Sequence, residues 1–538
     1  MGPSIKMQTS NLIKSAFILT FAAIITKILS AIYRIPFQNL VGDIGFYIYQ
    51  QVYPFYGIAL SLATYGFPVI ISKIYAEKIA SNDLDGAKSV IGTSLVVLFL
   101  LNGFVFFILF FGADLIAHFM GDIHLTPMIK IVSFSFLLIP LTSIFRGYYQ
   151  GHGIMLPTAT SQVVEQLVRV TGIIVFAIIL LRYHSDLYIV GGGAILASIL
   201  GSIFAVIVLI AYVWRLSNIK RWRISFQFKF STSVFKSLIT DGIAICISGM
   251  LLIMFQLMDA FQLYSILLDN GYTELQAKEM KGIFDRGQPI IQLGTVLATS
   301  LSLSLVPFIS SAKKNNRSID LQKYICLSYK TSFTIGAAAS LGLILIMDSL
   351  NIMLFQNANG SYELRILALS ILFTSIILTN TAILQGFGQT TYPAIVIIIG
   401  VLLKFVFNEW LINQLDSAGA ALSTVLSLIV ITVLLVWKVK EITNIKMLSK
   451  QFYIVLFTGL IMLAIIVFFY LNIMGSINFS GRLLASFQAI SSALIGGVVF
   501  LIIIIKGKMF SANELQLFPL GNILIRFLPK KERKDGKG

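Results

Sequence analysis

Long apolar stretches follow one another along this chain with only short polar breaks, and that pattern constrains the fold before anything else does. Each stretch has the roughly 20 residues that an α-helix needs to cross a bilayer. Fourteen spans are expected, at approximately 15–37, 50–72, 88–112, 127–148, 157–181, 188–213, 237–267, 285–311, 324–348, 362–385, 391–413, 418–438, 452–473 and 482–505. A chain of 538 residues that is 57% hydrophobic and 12% charged cannot hide so much apolar side chain in water. The fold class is therefore an all-α polytopic membrane protein. An even number of spans puts both termini on one side. Most of the 40 Lys and Arg fall in segments that share that side, so the positive-inside rule assigns it to the cytoplasm. The heaviest clusters lie at 214–236, 312–323 and in the tail at 519–538. The tail, with its amphipathic piece LGNILIRFL, is read as solvated beside anionic lipid, with binding of a partner as the alternative.

A net charge of +17 raises nucleic acid as a partner. The positive charge sits in short loops between apolar spans, which argues against it. The first apolar run is too long for a signal-peptide core and lacks a small-x-small cleavage site, so it reads as an uncleaved span. Cys246 and Cys326 lie in or beside spans and offer neither a metal pattern nor a disulfide framework. No HExxH, nucleophile elbow or P-loop is present, and no metal or cofactor is expected.

The chain repeats itself at half its length. Span 4 ends in IFRGYYQGHGIMLP (144–157) and span 10 in ILQGFGQTTYP (383–393). Matching these pairs Gly147 with Gly386, Gln150 with Gln389 and Pro157 with Pro393. Arg169 and Lys404 then stand midway through the next span of each copy. Two six-span lobes follow, as parallel repeats with substrate between them, and two further spans are appended. The expected division is an N-terminal lobe at 1–220, a C-terminal lobe at 221–440, the appended pair at 441–510 and a basic cytoplasmic tail at 511–538.

Charge inside the spans carries the functional reading, because an ionisable group at membrane depth is expensive unless it faces a cavity, a partner or a ligand. The first span holds Lys27 and Arg34, seven residues or nearly two helical turns apart, and so on one face. Snorkelling to the headgroups is the alternative for each. Span 7 contains Gln256 and Asp259. Span 8 opens with Asp285 and Arg286, read either as an interfacial salt bridge or as a cavity cation opposite Arg34. Glu165 and Arg169 are spaced i,i+4 and are expected to pair. Lys404 and Asn408 share a face of span 11, although Asn408 and Glu409 lie near its outer end, where water reaches. Candidates for binding substrate are Lys27, Arg34, Arg286, Asp259, Gln256, Arg169 and Lys404. Candidates for structure or gating are Glu165, Asp285, Asn408, Pro36, Gly147 and Gly386. Cations outnumber acids, so an anion is the expected cargo, and arginine suits phosphate. No group here forms a catalytic constellation, and a non-enzymatic transporter is expected.

Five segments carry a family likeness: ITKILSAIYRIPFQNLVG (25–42), YPFYGIALSLATYGFPVIISK (53–73), RGYYQGHG (146–153), FDRGQPIIQLGTVLATSLSLSLVP (284–307) and LQGFGQTTYP (384–393). In them the sequence resembles the lipid II flippase (MurJ-like) and stage V sporulation protein B branch of the multidrug/oligosaccharidyl-lipid/polysaccharide exporter superfamily. The resemblance implies two lobes around a central cationic cavity. It implies a flippase that turns an undecaprenyl-diphosphate-linked saccharide, lipid II or a related cell-wall or surface-polysaccharide precursor, to the outer leaflet of the plasma membrane. Anionic lipids and cell-wall synthesis proteins are the partners it suggests. The family's first-span arginines match Lys27 and Arg34, and another matches Arg286. Two departures stand out: Lys27 replaces an arginine, and 53–73 lacks a span-2 arginine. Some relatives bind sodium through spans 7 and 11, where the Lys404 ammonium would stand in for the metal. Coupling to membrane potential or to a monovalent cation remains open. The rival readings are a cation-coupled drug exporter of the same fold, which would call for cavity carboxylates, and a membrane enzyme acting on polyprenyl-linked sugars. The enzyme would need long outer loops, and the stretch at 268–282 is short.

Overall fold

Backbone polar groups in hydrocarbon must be paired within the protein, which leaves helices or closed barrels. The chain takes the helical solution, and the computed structural model has no strand among its described residues. These are residues 18–19, 21–220, 230–304, 309, 313, 318–444, 448–475, 481–516 and 521–529. The basic loop at 221–229, most of the second-copy segment 305–317 and the end of the tail from 530 lie outside them.

Eleven helices among the described residues are long and apolar enough to cross a membrane. Two exceed a single crossing. Phe21–Ala80 has 60 residues and Thr391–Thr443 has 53, or about 90 and 80 Å at 1.5 Å per residue against a hydrocarbon core of about 30 Å. Each turns at one residue outside helical geometry. Gly42 has φ 70°, a conformation that glycine adopts at no steric cost. Asp416 has φ 50°, where a short polar side chain is tolerated. The chain is thus a multi-pass all-α membrane protein, and the eleven helices among the described residues, two of them long enough for more than one crossing, do not fix the expected count of fourteen spans.

Two compact units can be distinguished, Met1–Asp285 with Thr390–Ala420, and Arg286–Gln389 with Ala421–Gly538. Their limits fall at other positions than the lobe limits expected from the repeat, which stand as a reading of the sequence.

The first unit contains α1 (Arg34–Ser61), α2 (Phe67–Ala80), α3 (Leu84–Phe111), α4 (Thr126–Gly151), α5 (Leu156–Arg182), α6 (Leu187–Lys220), α7 (Leu251–Asp269) and α8 (Glu274–Asp285). A five-residue π-turn, Leu62–Gly66, joins α1 to α2. Helix α4 packs against α2, α3 and α6, and α5 lies along α6. At Gly147 a Cβ would come within 2.7 Å of Ile71 and 3.2 Å of the Pro68 carbonyl, so a small residue there lets α4 approach α2. Helix α8 is amphipathic and packs on α1. Gly282 brings its backbone so near that a Cβ would stand 2.1 Å from the Asp43 carbonyl oxygen. Pro36 occupies the first turn of α1, where its missing N–H costs nothing, and is exposed.

The second unit contains α9 (Gly287–Ser304), α10 (Ser318–Phe355), α11 (Ser361–Ala368), α12 (Ser370–Gly386), the C-terminal part of α13 (Thr391–Thr443), α14 (Lys450–Gly475) and α15 (Arg482–Lys506). The appended helices α14 and α15 pack on each other and on α10 through Phe452, Leu456, Leu463 and Phe500. Beyond α15 a capping box at Ser511 and Glu514 starts a short helix, and Lys330 of α10 holds Glu514 at 2.9 Å.

Both repeat motifs end their helices in the same way. After α4, Gly153 N–H donates to Gln150 and Ile154 N–H to Tyr149. After α12, Gly388 N–H donates to Gln385 and Gln389 N–H to Leu384, all four bonds at 2.9 Å. Gly153 and Gly388 hold φ 75° and 81°, the left-handed cap that glycine favours. This geometry aligns Gln150 with Gln385 and Gly151 with Gly386, one helical turn from the register the sequence suggests. Gly386 is then a helix-end residue of α12, and Gly147 a packing residue of α4.

Candidate functional site

Tyr49, Tyr53 and Tyr56 recur along α1 at spacings of four and three, which places their rings on one face. The segment on the N-terminal side of the Gly42 turn folds back along that face and sets Tyr33 and Arg34 against it. The Tyr33 and Tyr49 hydroxyls share a hydrogen bond of 2.7 Å. The Arg34 guanidinium lies 4.2 Å from the centre of the Tyr53 ring. From α5, Arg169 brings its guanidinium to 5.2 Å from both Tyr33 and Tyr56, and its Nη2 donates to Ser30 at 3.0 Å. Arg34 is 1% and Arg169 0% exposed. A desolvated cation over an aromatic face gains about 2 kcal/mol. That is less than the several kcal/mol that removing an ion from water costs. Stacking alone therefore does not account for two such cations side by side.

The other buried cations of this unit have carboxylates. Arg146 binds Glu165 at 2.7 Å, and it also donates to Ser161, Thr64 and the Ala63 carbonyl. Ser202 donates to the second Glu165 oxygen at 2.9 Å. Lys281 holds Asp285 at 2.6 and 2.7 Å. Lys404 meets Asp259 at 2.7 Å. Asn408 donates to the same Asp259 oxygen at 3.2 Å and accepts from Lys404 at 3.4 Å. The fourth buried acid, Asp122, accepts from Tyr47 and Tyr188 and stands 4.0 Å from Lys278. Among the described residues, Arg34 and Arg169 are left with no carboxylate on either. Their orphan donors are Nε of Arg34 and Nε and Nη1 of Arg169, together with the Tyr56 hydroxyl.

Three sequence expectations change here. Glu165 pairs with Arg146 on α4 and not with Arg169 on its own helix. A local i,i+4 neighbour lost to a guanidinium that reaches across from another helix with a full set of acceptors. Asp285 does not pair with Arg286. It takes Lys281 one turn back, while Arg286 begins the second unit, donates to Asn357 at 2.7 Å and stacks 5.4 Å from Phe355. Asn408 is fully buried against Asp259, not wetted at a span end, whereas its neighbour Glu409 is exposed. Lys27 is half-buried, 5.9 Å from the Tyr65 ring, so both first-span cations face tyrosines of the span that follows. Gln256 is half-buried one turn before Asp259 on α7.

Four elements of the site were not picked out from the sequence: the tyrosine wall, Arg146, Lys281 and Asp122. Helical spacing could have found two of them, in the tyrosines of α1 and in the i,i+4 relation of Lys281 to Asp285. Arg146 stood inside the RGYYQGHG motif but was read for its glycines. Asp122 gave no local sign, since its tyrosine partners come from distant helices.

Residues 12–313 match the model of the polysaccharide biosynthesis protein family. The chain is 38% identical over 540 residues to the uncharacterized membrane protein YabM of Bacillus subtilis (strain 168), covering 100% of both. It is 26% identical over 444 residues to the lipid II flippase MurJ of the same organism, across 78% of this chain and 81% of that one. A solved structure of lipid II flippase MurJ in an inward closed conformation shares the fold with a TM-score of 0.63 at 16% identity, covering 90% of this chain and 98% of that one. An inward-facing multidrug resistance MATE family transporter of the MOP superfamily does so with a TM-score of 0.64 at 17% identity, over 79% and 96%.

Proposed function

Since the chain belongs to the polysaccharide biosynthesis protein family, within the MOP superfamily, we propose that it is a flippase for a lipid-linked precursor of the cell wall or surface. The cargo on this reading is an undecaprenyl-diphosphate-linked saccharide, lipid II or a related one. It is turned from the inner to the outer leaflet of the plasma membrane by alternating access. The observation that carries the proposal is the burial of Arg34 among tyrosines with no carboxylate on it. An anion is what such a group binds, and a guanidinium fits phosphate oxygens two at a time. Lys27 on the same span adds a second cation to the cationic path. Polyprenyl-linked precursors carry their negative charge in the phosphates beside the sugar, so the reading matches charge to cargo. The flippase named among the relatives supports it.

The same fold also serves multidrug transporters. A cationic drug would need an uncommitted acid. Among the described residues, each of the four buried carboxylates of the first unit already has a cation within 4.0 Å. This favours an anionic cargo.

The test is native mass spectrometry of the purified protein with lipid II, undecaprenyl diphosphate and a teichoic-acid-type lipid-linked precursor. Retention of lipid II that is lost in Arg34→Ala supports a peptidoglycan flippase, and preference for another saccharide moves the pathway. Binding of no diphosphate lipid returns the chain to the drug-exporter reading.

Two further expectations belong to this reading. Lys404 already occupies Asp259, so an ammonium stands where a coupled cation would sit. Exchange of sodium for potassium should leave transport into vesicles unchanged, and a clear sodium requirement would exclude this role for Lys404. The orientation puts both termini in the cytoplasm, with the basic tail against anionic lipid and open to cell-wall synthesis proteins. In a background without Cys246 and Cys326, Ser81→Cys should react with an impermeant maleimide only from the cytoplasm and Leu275→Cys only from outside. Reversed labelling would refute the topology.

A further inference from the structure

Arg169 extends the anion site beyond the first span. Among the described residues five cations are buried in the first unit: Arg34, Arg146, Arg169, Lys281 and Lys404. Three of them are matched by Glu165, Asp285 and Asp259, and the two that remain stack on one group of tyrosines, Tyr53 for Arg34 and Tyr33 and Tyr56 for Arg169. Tyr33 joins them: it precedes Arg34 in the chain, and its ring lies 5.2 Å from the Arg169 guanidinium. Ser30 and Tyr56 flank Arg169, and Tyr53 lies under Arg34. Among the described residues, three guanidinium nitrogens and the Tyr56 hydroxyl have no acceptor. Two like charges confined together in a low-dielectric interior repel each other unless an anion lies between them.

We propose that Arg34 and Arg169 together form a two-guanidinium site that takes both phosphates of a diphosphate-bearing lipid, with Arg169 as the residue that sets specificity. This rests on the flippase reading above. Bulk phospholipids with a phosphodiester head carry one negative charge and present one phosphate. They satisfy one guanidinium and leave the other buried and unmatched. A polyprenyl diphosphate ester carries two linked phosphates, one for each guanidinium. The site thereby discriminates against the lipids that surround it in excess, through the cost of leaving a charge unpaired.

The test is competition in native mass spectrometry between a polyprenyl-diphosphate N-acetyl sugar and phosphatidylglycerol, with thermal stability read on the same samples. The wild type should prefer the diphosphate lipid by about tenfold or more, as expected for one charge-assisted contact. Arg169→Gln should cut that preference about tenfold while phosphatidylglycerol binding stays unchanged, and Arg169→Lys should restore part of it. Without ligand, Arg169→Gln should unfold at the same or a higher temperature than the wild type, because a repulsion has gone. A lower melting temperature or failure to fold means that Arg169 is structural, and overturns the proposal. A preference that survives Arg169→Gln overturns it too, and leaves the flippase reading standing. If the wild type retains no diphosphate lipid at all, the flippase reading itself fails.

Discussion

Arg34→Ala is expected to abolish growth of a strain that lacks its own lipid II flippase, with the protein still present in the membrane at the wild-type level. The guanidinium is 1% exposed, stacked on Tyr53 and without a carboxylate. On the flippase proposal, its removal takes away a charge-assisted contact worth about 1.5–3 kcal/mol to a phosphate, or roughly 10- to 100-fold in binding. The effect on transport is larger if the contact is needed to draw the headgroup away from water. Arg34→Lys keeps the charge but loses the planar fork, so it should restore growth only in part. The membrane level should hold because, among the described residues, no carboxylate is paired with Arg34 and Asp285 keeps Lys281 as its partner. Normal growth with Arg34→Ala would remove Arg34 from the site.

Arg146→Ala should do the opposite, with a large loss of stability as its primary effect. Arg146 is 0% exposed and binds Glu165 at 2.7 Å, with three further acceptors on its other N–H groups. Breaking a buried pair on one side leaves a charge with no partner and costs about 3–5 kcal/mol. A lower melting temperature in detergent and less folded protein in the membrane are expected. Glu165→Gln should be milder, since the amide oxygen can still accept from Arg146 while the amide NH2 donates to the Ser202 hydroxyl. Replacing both residues by Met should recover much of the loss, because a well-packed apolar pair avoids the desolvation cost altogether. If Arg146→Ala melts with the wild type, Glu165 has found another cation, and Arg169 is the obvious one.

That last contrast shows where the sequence stopped being legible. Glu165 and Arg169 stand one turn apart on one helix, and local geometry favoured their pairing. The choice of partner was made by α4, which brings Arg146 alongside with Ser161, Thr64 and the Ala63 carbonyl already placed to receive its other donors. No spacing along α5 reports that approach. The same holds for Asp285, where the adjacent Arg286 lost to Lys281 one turn away. Adjacent residues on a helix point about 100° apart, while i,i+4 neighbours share a face. Here the rule needed was local and readable, but the helix of Lys281 lay outside the expected spans, so it was not applied. The repeat was found from its glycines in a register one turn off. What both copies conserve is a left-handed cap at Gly153 and Gly388, a property of backbone angles that residue identity alone does not reveal.

By itself the sequence determined that this chain crosses a membrane many times as helices, that it repeats at half its length, and that its spans hold more cations than acids. Those are consequences of transfer free energy and of period, which act residue by residue. Only the tertiary structure decided which cations are matched. Pairing is a contest among groups 4, 19 and 145 residues apart along the chain, settled by how helices pack. Its outcome leaves Arg34 and Arg169 together inside a wall of tyrosines, with Lys404 committed to Asp259.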